Sequence, residues 1–534
     1  MGRNSAHVLW REQNTANTGT DLFYRGLPNG TTERLSNITT TNTAGVFFPA
    51  LRVSDTDTPH IFWEEYNNAV NARDLNYWNP NDGLISLVSQ TPTTGFAAFR
   101  PIIWLEGDDF HIVWQQLNTA QTENIYVYWN SVSKTAVELP GFKDGVVHNG
   151  ILHITWEGSS NGPVNYWNSD DQMTVSLPNS TTVGDASVYQ RGIFADTAGQ
   201  ITIFFGFNSL GDAATTCLAS WNTTTLSTAV HVTTSKCFSG YKVQQDNQGV
   251  YHTFGVDNTS GLLPYYWNSD LSNAIFFDVS GAGTGFGIPG GTLYVSNGGN
   301  AHILWEDDND LFYWNPDDQQ VVNLSATSGP NTNIASYFKF RGFDAAGNLV
   351  VIWQEQTSSG SPVAPFYWQS ADQITTNLLT KLGLSSIEDQ SLTNSKGPNP
   401  VFMYYGTPTV GDAGAFYWDI IADSVTPVWT GPNNNTFFRY ADEPGDDVLT
   451  AWIDQADYSL NLTSAQNGSQ IMNQTAADDT GNLVTIIGFD NFGNIYAIWT
   501  EMSDSSGEGV DFFAAWSTDF VEAAADVYLP FIIR

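Results

Sequence analysis

Basic residues are scarce in this chain: Lys and Arg total 18 against 55 Asp and Glu, a formal net charge of −37. Such a field repels nucleic acid and anionic membrane surfaces, so neither is expected as a partner. Cysteine is nearly absent too. Cys217 and Cys237 are too few for a disulfide scaffold and lack histidines at a zinc spacing. A bridge between adjacent repeats and a pair of buried thiols are both open readings. No apolar run approaches the roughly 18 to 20 residues that a membrane-spanning helix needs. No secretory leader is visible, since Met1-Gly2-Arg3 runs almost directly into the first strand, so secretion would make the numbered chain a mature or trimmed form. Charged residues are only 14% of the chain, while Asn, Thr, Ser and Gly fill its connections. That neutral-polar, acid-biased surface is expected of an extracellular or cell-surface bacterial protein.

What is abundant is an internal repeat of two aromatic phrases in strict alternation. The first reads His-x-x-Trp, at His7 to Trp10, His60 to Trp63, His111 to Trp114, His153 to Trp156 and His302 to Trp305. The second reads Tyr-Trp-Asn, at Tyr77-Trp78-Asn79, Tyr128-Trp129-Asn130, Tyr166-Trp167-Asn168, Tyr266-Trp267-Asn268 and Tyr313-Trp314-Asn315. Weaker copies fill the intervals, giving about eleven units of about 49 residues, a period typical of four-stranded propeller blades. Every tryptophan except Trp104 and Trp429 falls in one of the two phrases.

Within one unit, Phe99 to Trp104, Phe110 to Trp114, Ile125 to Trp129 and Thr135 to Pro140 are short apolar runs separated by turn residues such as Glu106-Gly107-Asp108-Asp109. They read as a meander of antiparallel strands, and no stretch keeps a helical period for long. The predicted fold is therefore all-β: a β-propeller of about eleven four-stranded blades in a single domain spanning 1–534. One large ring is expected, with tandem rings of five and six blades as the alternative. The tryptophans are expected to fill the space between blades.

No residue stands out as a unique catalytic group. Six of the eight histidines occupy one repeat position, and a group repeated around a ring is expected to be structural, with a ring N–H bonded to a backbone carbonyl. The carboxylate clusters Glu64-Glu65, Glu306-Asp307-Asp308-Asn309-Asp310, and Asp442-Glu443 with Asp446-Asp447 read as solvated turns. None matches a calcium loop, and at most a few weak Ca²⁺ sites are expected, as at Asp55-Thr56-Asp57. No cofactor, metal centre or enzymatic activity is expected.

The unit resembles the sialidase-type propeller repeat, in which a His-x-x-Trp strand precedes a Tyr-aromatic strand and an Asp-box turn. The box survives as Ser169-Asp170-Asp171, Ser269-Asp270, Ser370-Ala371-Asp372 and Ser517-Thr518-Asp519, without its glycine and closing tryptophan. A sialidase would also need arginines to hold a substrate carboxylate, and the few arginines form no evident triad. Val527-Tyr528-Leu529-Pro530-Phe531-Ile532-Ile533-Arg534 resembles the Tyr-Leu-Pro-apolar tails of secreted proteins from filamentous thermophilic bacteria, and it also falls where the last fourth strand is due. The first unit begins at its His-Trp strand. That leaves a strand place for a neighbouring copy's terminal segment, so self-assembly into filaments is expected. The functional expectation is a self-assembling structural surface protein, with a glycan-binding propeller as the alternative and a divergent glycosidase third.

Overall fold

The computed structural model describes the strands and tight turns between residues 6 and 517. Residues 1–5 and 518–534 lie outside the description, as do several connections, the longest being 37–44, 89–98, 178–187, 208–214, 235–241, 280–290, 394–400, 431–437, 472–482 and 503–509. Beyond residue 430 only the course of the strands is described.

Among the described residues the only helix is Leu378–Leu382, capped by Asn377, whose side chain accepts the Thr380 N–H. All other elements are strands. They fall into antiparallel meanders in which neighbours along the chain are neighbours in the sheet, nine of four strands and two of three. The predicted runs appear as Phe99–Glu106, Asp109–Leu117, Asn124–Asn130 and Ala136–Leu139. Gly107 turns the first hairpin at φ 59, a left-handed conformation open to glycine at little cost. This is the repeated blade of a β-propeller.

The chain forms two compact units, residues 1–140 with 433–534, and residues 141–432. In both, successive sheets pack face to face through the phrase residues. Phe62, Leu75 and Tyr77 of one sheet meet Phe110, Ile112, Trp114 and Trp129 of the next. In the second unit, Phe277 stacks on Trp314 of the following sheet with ring centroids 4.1 Å apart. Each such ring removes about 150–250 Å² from water, about 4 to 6 kcal/mol as an upper bound.

The first strands of consecutive sheets lie side by side. Gln244 on Lys242–Gln245 donates from Nε2 to the Leu293 carbonyl on Thr292–Val295 at 3.0 Å. Several first strands carry a bulge, between Phe47 and Ala50, between Phe99 and Ile102, and between Gln190 and Gly192. Pro49 and Pro101 stand in two of these, where the missing N–H interrupts no ladder bond.

Candidate functional site

The repeated polar residues converge within each sheet. Antiparallel register sets the histidine of the second strand opposite the asparagine of the third, as in His111 with Asn130 and His252 with Asn268. The tyrosine two residues earlier shares the asparagine's face, because side chains alternate along a strand. Its hydroxyl meets the imidazole Nδ1 at 2.7 Å for His60–Tyr77, 2.8 Å for His111–Tyr128, 2.7 Å for His153–Tyr166, 2.7 Å for His252–Tyr266 and 2.9 Å for His302–Tyr313.

The proton positions follow from the partners. Asn315 accepts the turn N–H groups of Asp317 and Asp318 on Oδ1, which leaves Nδ2 to donate to the Tyr313 oxygen at 2.8 Å. A phenol that already accepts has one proton to give, and it goes to Nδ1, so the ring proton sits on Nε2. At His302 that N–H faces the Gly347 carbonyl at 3.3 Å, and at His252 it faces the Asp246 carboxylate at 3.3 Å. The expected bond to a backbone carbonyl thus holds at His302, while the common partner is tyrosine. Burial pushes the pKa of His60, His111 and His252 down, and that of His302 to about 4. Burial raises the Tyr77, Tyr166 and Tyr266 phenols to about 12. These imidazoles are neutral structural links at pH 7.

The serine after the asparagine extends the same device. Ser169 and Ser269 accept on Oγ the N–H that opens the second strand, Leu152 at 3.0 Å and Tyr251 at 3.1 Å. The Asp-box fragments Ser169-Asp170-Asp171 and Ser370-Ala371-Asp372 form the turn into the fourth strand, closed by Gln172 N–H on the Asn168 carbonyl and Gln373 N–H on the Gln369 carbonyl. The other phrase has its own link: the Trp114 indole donates to Gln116 at 2.9 Å and the Trp353 indole to Glu355 at 3.0 Å.

Two carboxylate assignments need correction. Glu64 and Glu65 lie inside the strand Pro59–Asn67 and Glu306 inside Ala301–Asp307, not in solvated turns, because the second and third strands pair well beyond the tryptophan. Glu64 is 1% exposed, and burial raises the pKa of Glu65 and Glu306. Asp442 ends the strand Phe438–Asp442, and residues 443–447 are outside the description. Cys217 lies on the strand Thr215–Asn222, whereas Cys237 and the tail residues Tyr528, Leu529, Pro530 and Phe531 are outside the described residues. Among the described residues, no group of His, Cys, Asp and Glu could hold a metal ion.

Two signals escaped the sequence reading. One is an Asp-x-x-Gly turn joining first to second strands: Asp344 accepts the Ala346 and Asn348 N–H groups, and Gly347 adopts φ 82. The other is where the scarce basic residues stand. Arg52, Arg100, Arg191, Lys339, Arg341 and Arg439 all occupy first strands, the strands that neighbour one another from sheet to sheet. Lys242 is on a first strand as well, its Nζ 3.4 Å from Thr292 Oγ1 on the next. Arg11, Arg25, Arg34 and Arg73 stand on other strands.

No protein-family model matches the chain, and no curated protein does. Solved structures do match. A Mycobacterium tuberculosis puromycin-hydrolyzing peptidase matches at 9% identity and a TM-score of 0.30, over 66% of this chain and 57% of its own length. A polysaccharide lyase, PL25 ulvan lyase, matches at 10% and 0.30, over 72% of this chain and 92% of its own. The β-propeller domain of the Trilobed protease from Pyrococcus furiosus matches at 8% and 0.26, over 70% and 98%. This chain therefore spans little more than half of the peptidase. These scores transfer no activity. With peptidases and a lyase among the similar structures, the expectation that the chain is not an enzyme is withdrawn. No helix among the described residues is long and apolar enough to cross a membrane.

Proposed function

We propose that the chain is an extracellular propeller that binds oligosaccharides carrying carboxylate groups along its first strands. One observation carries this reading: in a protein of net charge −37 with only 18 basic residues, Arg52, Arg100, Arg191, Lys339, Arg341 and Arg439 stand on first strands, at differing places along them. A guanidinium fits a carboxylate as a fork of two parallel hydrogen bonds. The remaining negative charge does not oppose a short ligand there, because screening at physiological salt limits the reach of each exposed charge to about 8 Å. The resemblance to sialidase-type repeats is in keeping with such a ligand.

The test is titration calorimetry with uronate-bearing and neutral oligosaccharides of equal length, on the native protein and on Arg52→Gln with Arg100→Gln. Binding should favour the uronates and weaken about tenfold or more for each lost arginine, since a hydrogen bond to a charged group is worth about 1.5–3 kcal/mol. Equal binding of neutral chains, or indifference to both substitutions, would remove the proposal. Chain-length analysis of the recovered oligosaccharide reads whether bound glycan is also cleaved.

A further inference from the structure

We infer that Phe48 and Trp104 are platforms on which sugar rings of a bound oligosaccharide stack, each level with an arginine of the neighbouring first strand. This arrangement rests on the first strands being an oligosaccharide surface and adds the contact with the sugar ring itself. The backbone at Phe48 is the first sign. Its φ is 45, in the left-handed region that glycine enters freely and a bulky side chain does not. Pro49 follows, and a residue before proline favours extended backbone. No burial offsets this strain, since the Phe48 ring is 64% exposed. A strained conformation that turns an aromatic ring to solvent points to a contact outside the chain.

The bulge sets the residue kinds side by side. Phe47 pairs with Glu64 and Ala50 with Phe62, so Phe48 and Pro49 stand together opposite Trp63. In the next sheet Phe99 pairs with Gln115 and Ile102 with Val113, which sets Arg100 and Pro101 opposite Trp114. Four residues further on, Arg52 pairs with His60 and Trp104 with His111. The two strands thus carry an aromatic and a basic residue four apart, in opposite order. They are neighbours, because Ala50 of one and Ile103 and Leu105 of the other pack against the same cluster. Phe48 is therefore level with Arg100, and Trp104 with Arg52. Arg52 is exposed and Trp104 half-buried. Trp104 is also one of the two tryptophans outside both repeated phrases.

A bulge re-aims side chains, which is what a contact site needs from an otherwise regular strand. Other first strands shift register at Arg191 and Lys339, again basic, and at Glu388 and Thr485. The pairing of an aromatic with a basic residue is confined to Val46–Val53 and Phe99–Glu106 among these. Phe276 is the other exposed aromatic residue among those described, at 42%, but its strand Ile275–Phe276 holds no basic residue. A pyranose chair presents C–H groups on its faces and polar groups at its rim. An aromatic ring covers such a face and takes it out of water, while the arginine level with it meets a carboxylate at the rim.

The test is calorimetry with uronate-bearing and neutral oligosaccharides on the native protein, Phe48→Gly, Phe48→Tyr and Trp104→Leu, with the melting temperature of each. Phe48→Gly should weaken uronate binding about tenfold, the loss expected when about 55 Å² of apolar contact returns to water. Its melting temperature should equal or exceed the native one, because glycine relieves the strain at φ 45. Phe48→Tyr keeps the ring and should keep the affinity, and Trp104→Leu should weaken binding as Phe48→Gly does. Unaltered affinity in Phe48→Gly or Trp104→Leu would overturn the inference. So would a Phe48→Tyr variant as weak as Phe48→Gly, or a loss of binding in Phe48→Gly that comes with a lower melting temperature. The carboxylate reading fails separately. Weakening by Arg52→Gln with Arg100→Gln but not by Phe48→Gly removes the platforms and leaves that reading. Weakening of neutral and uronate chains alike by Phe48→Gly, with the arginine variant unchanged, keeps the platforms and removes it. A native protein that binds no oligosaccharide overturns both.

Discussion

Acidification should destabilise the protein through its buried histidines, and His302 gives the effect a size. Its imidazole is neutral, accepts the Tyr313 hydroxyl proton on Nδ1 and has a folded pKa of about 4 against 6.5 when unfolded. A base with a depressed folded pKa leaves the unfolded state binding more protons. The stability is therefore complete above pH 6.5, lost as the pH falls from 6.5 to 4, and level below. The gap of about 2.5 pH units at about 1.36 kcal/mol each comes to about 3 kcal/mol. Other groups titrate as well, so the useful quantity is a difference between two proteins. Urea unfolding followed by tryptophan fluorescence would compare the native chain with His302→Gln at pH 7 and pH 4. The stability gap between them should shrink by about 3 kcal/mol at the lower pH. A gap that stays constant would show that His302 is protonated in the fold or solvated, and the reading of the histidine position would be wrong.

Tyr313→Phe should cost about 1–3 kcal/mol in the same unfolding assay, because it leaves His302 Nδ1 buried without its donor and removes one of the two acceptors of Asn315 Nδ2, Asp318 being the other. Gly347→Ala should lower the melting temperature more than Gly83→Ala does. Both glycines lie at positive φ, but a Cβ on Gly347 meets Ser296 Oγ at 2.9 Å, whereas one on Gly83 meets nothing within 4 Å.

The blade was legible because its signals are local. Short apolar runs, turn residues and the alternating phrases mark the strands. The partners of the repeated residues were not legible, because they depend on register. His302 and Tyr313 stand 11 residues apart while His60 and Tyr77 stand 17 apart, and only pairing across strands makes the two contacts equivalent. The burial of Glu64 was hidden for a related reason: the sequence shows a charge pair after a tryptophan, not how far the hairpin continues. The basic residues escaped because first strands vary in length and contain bulges. Arg52, Arg191 and Arg341 thus follow no fixed spacing from the phrases.

The ligand surface is tested most directly by hydrogen exchange with and without a saturating uronate-bearing oligosaccharide. The account expects added protection at first strands, including Val46–Val53 and Phe99–Glu106, and little change in fourth strands such as Ala136–Leu139. Protection confined to the turns and fourth strands, or no protection at any ligand concentration, would contradict it.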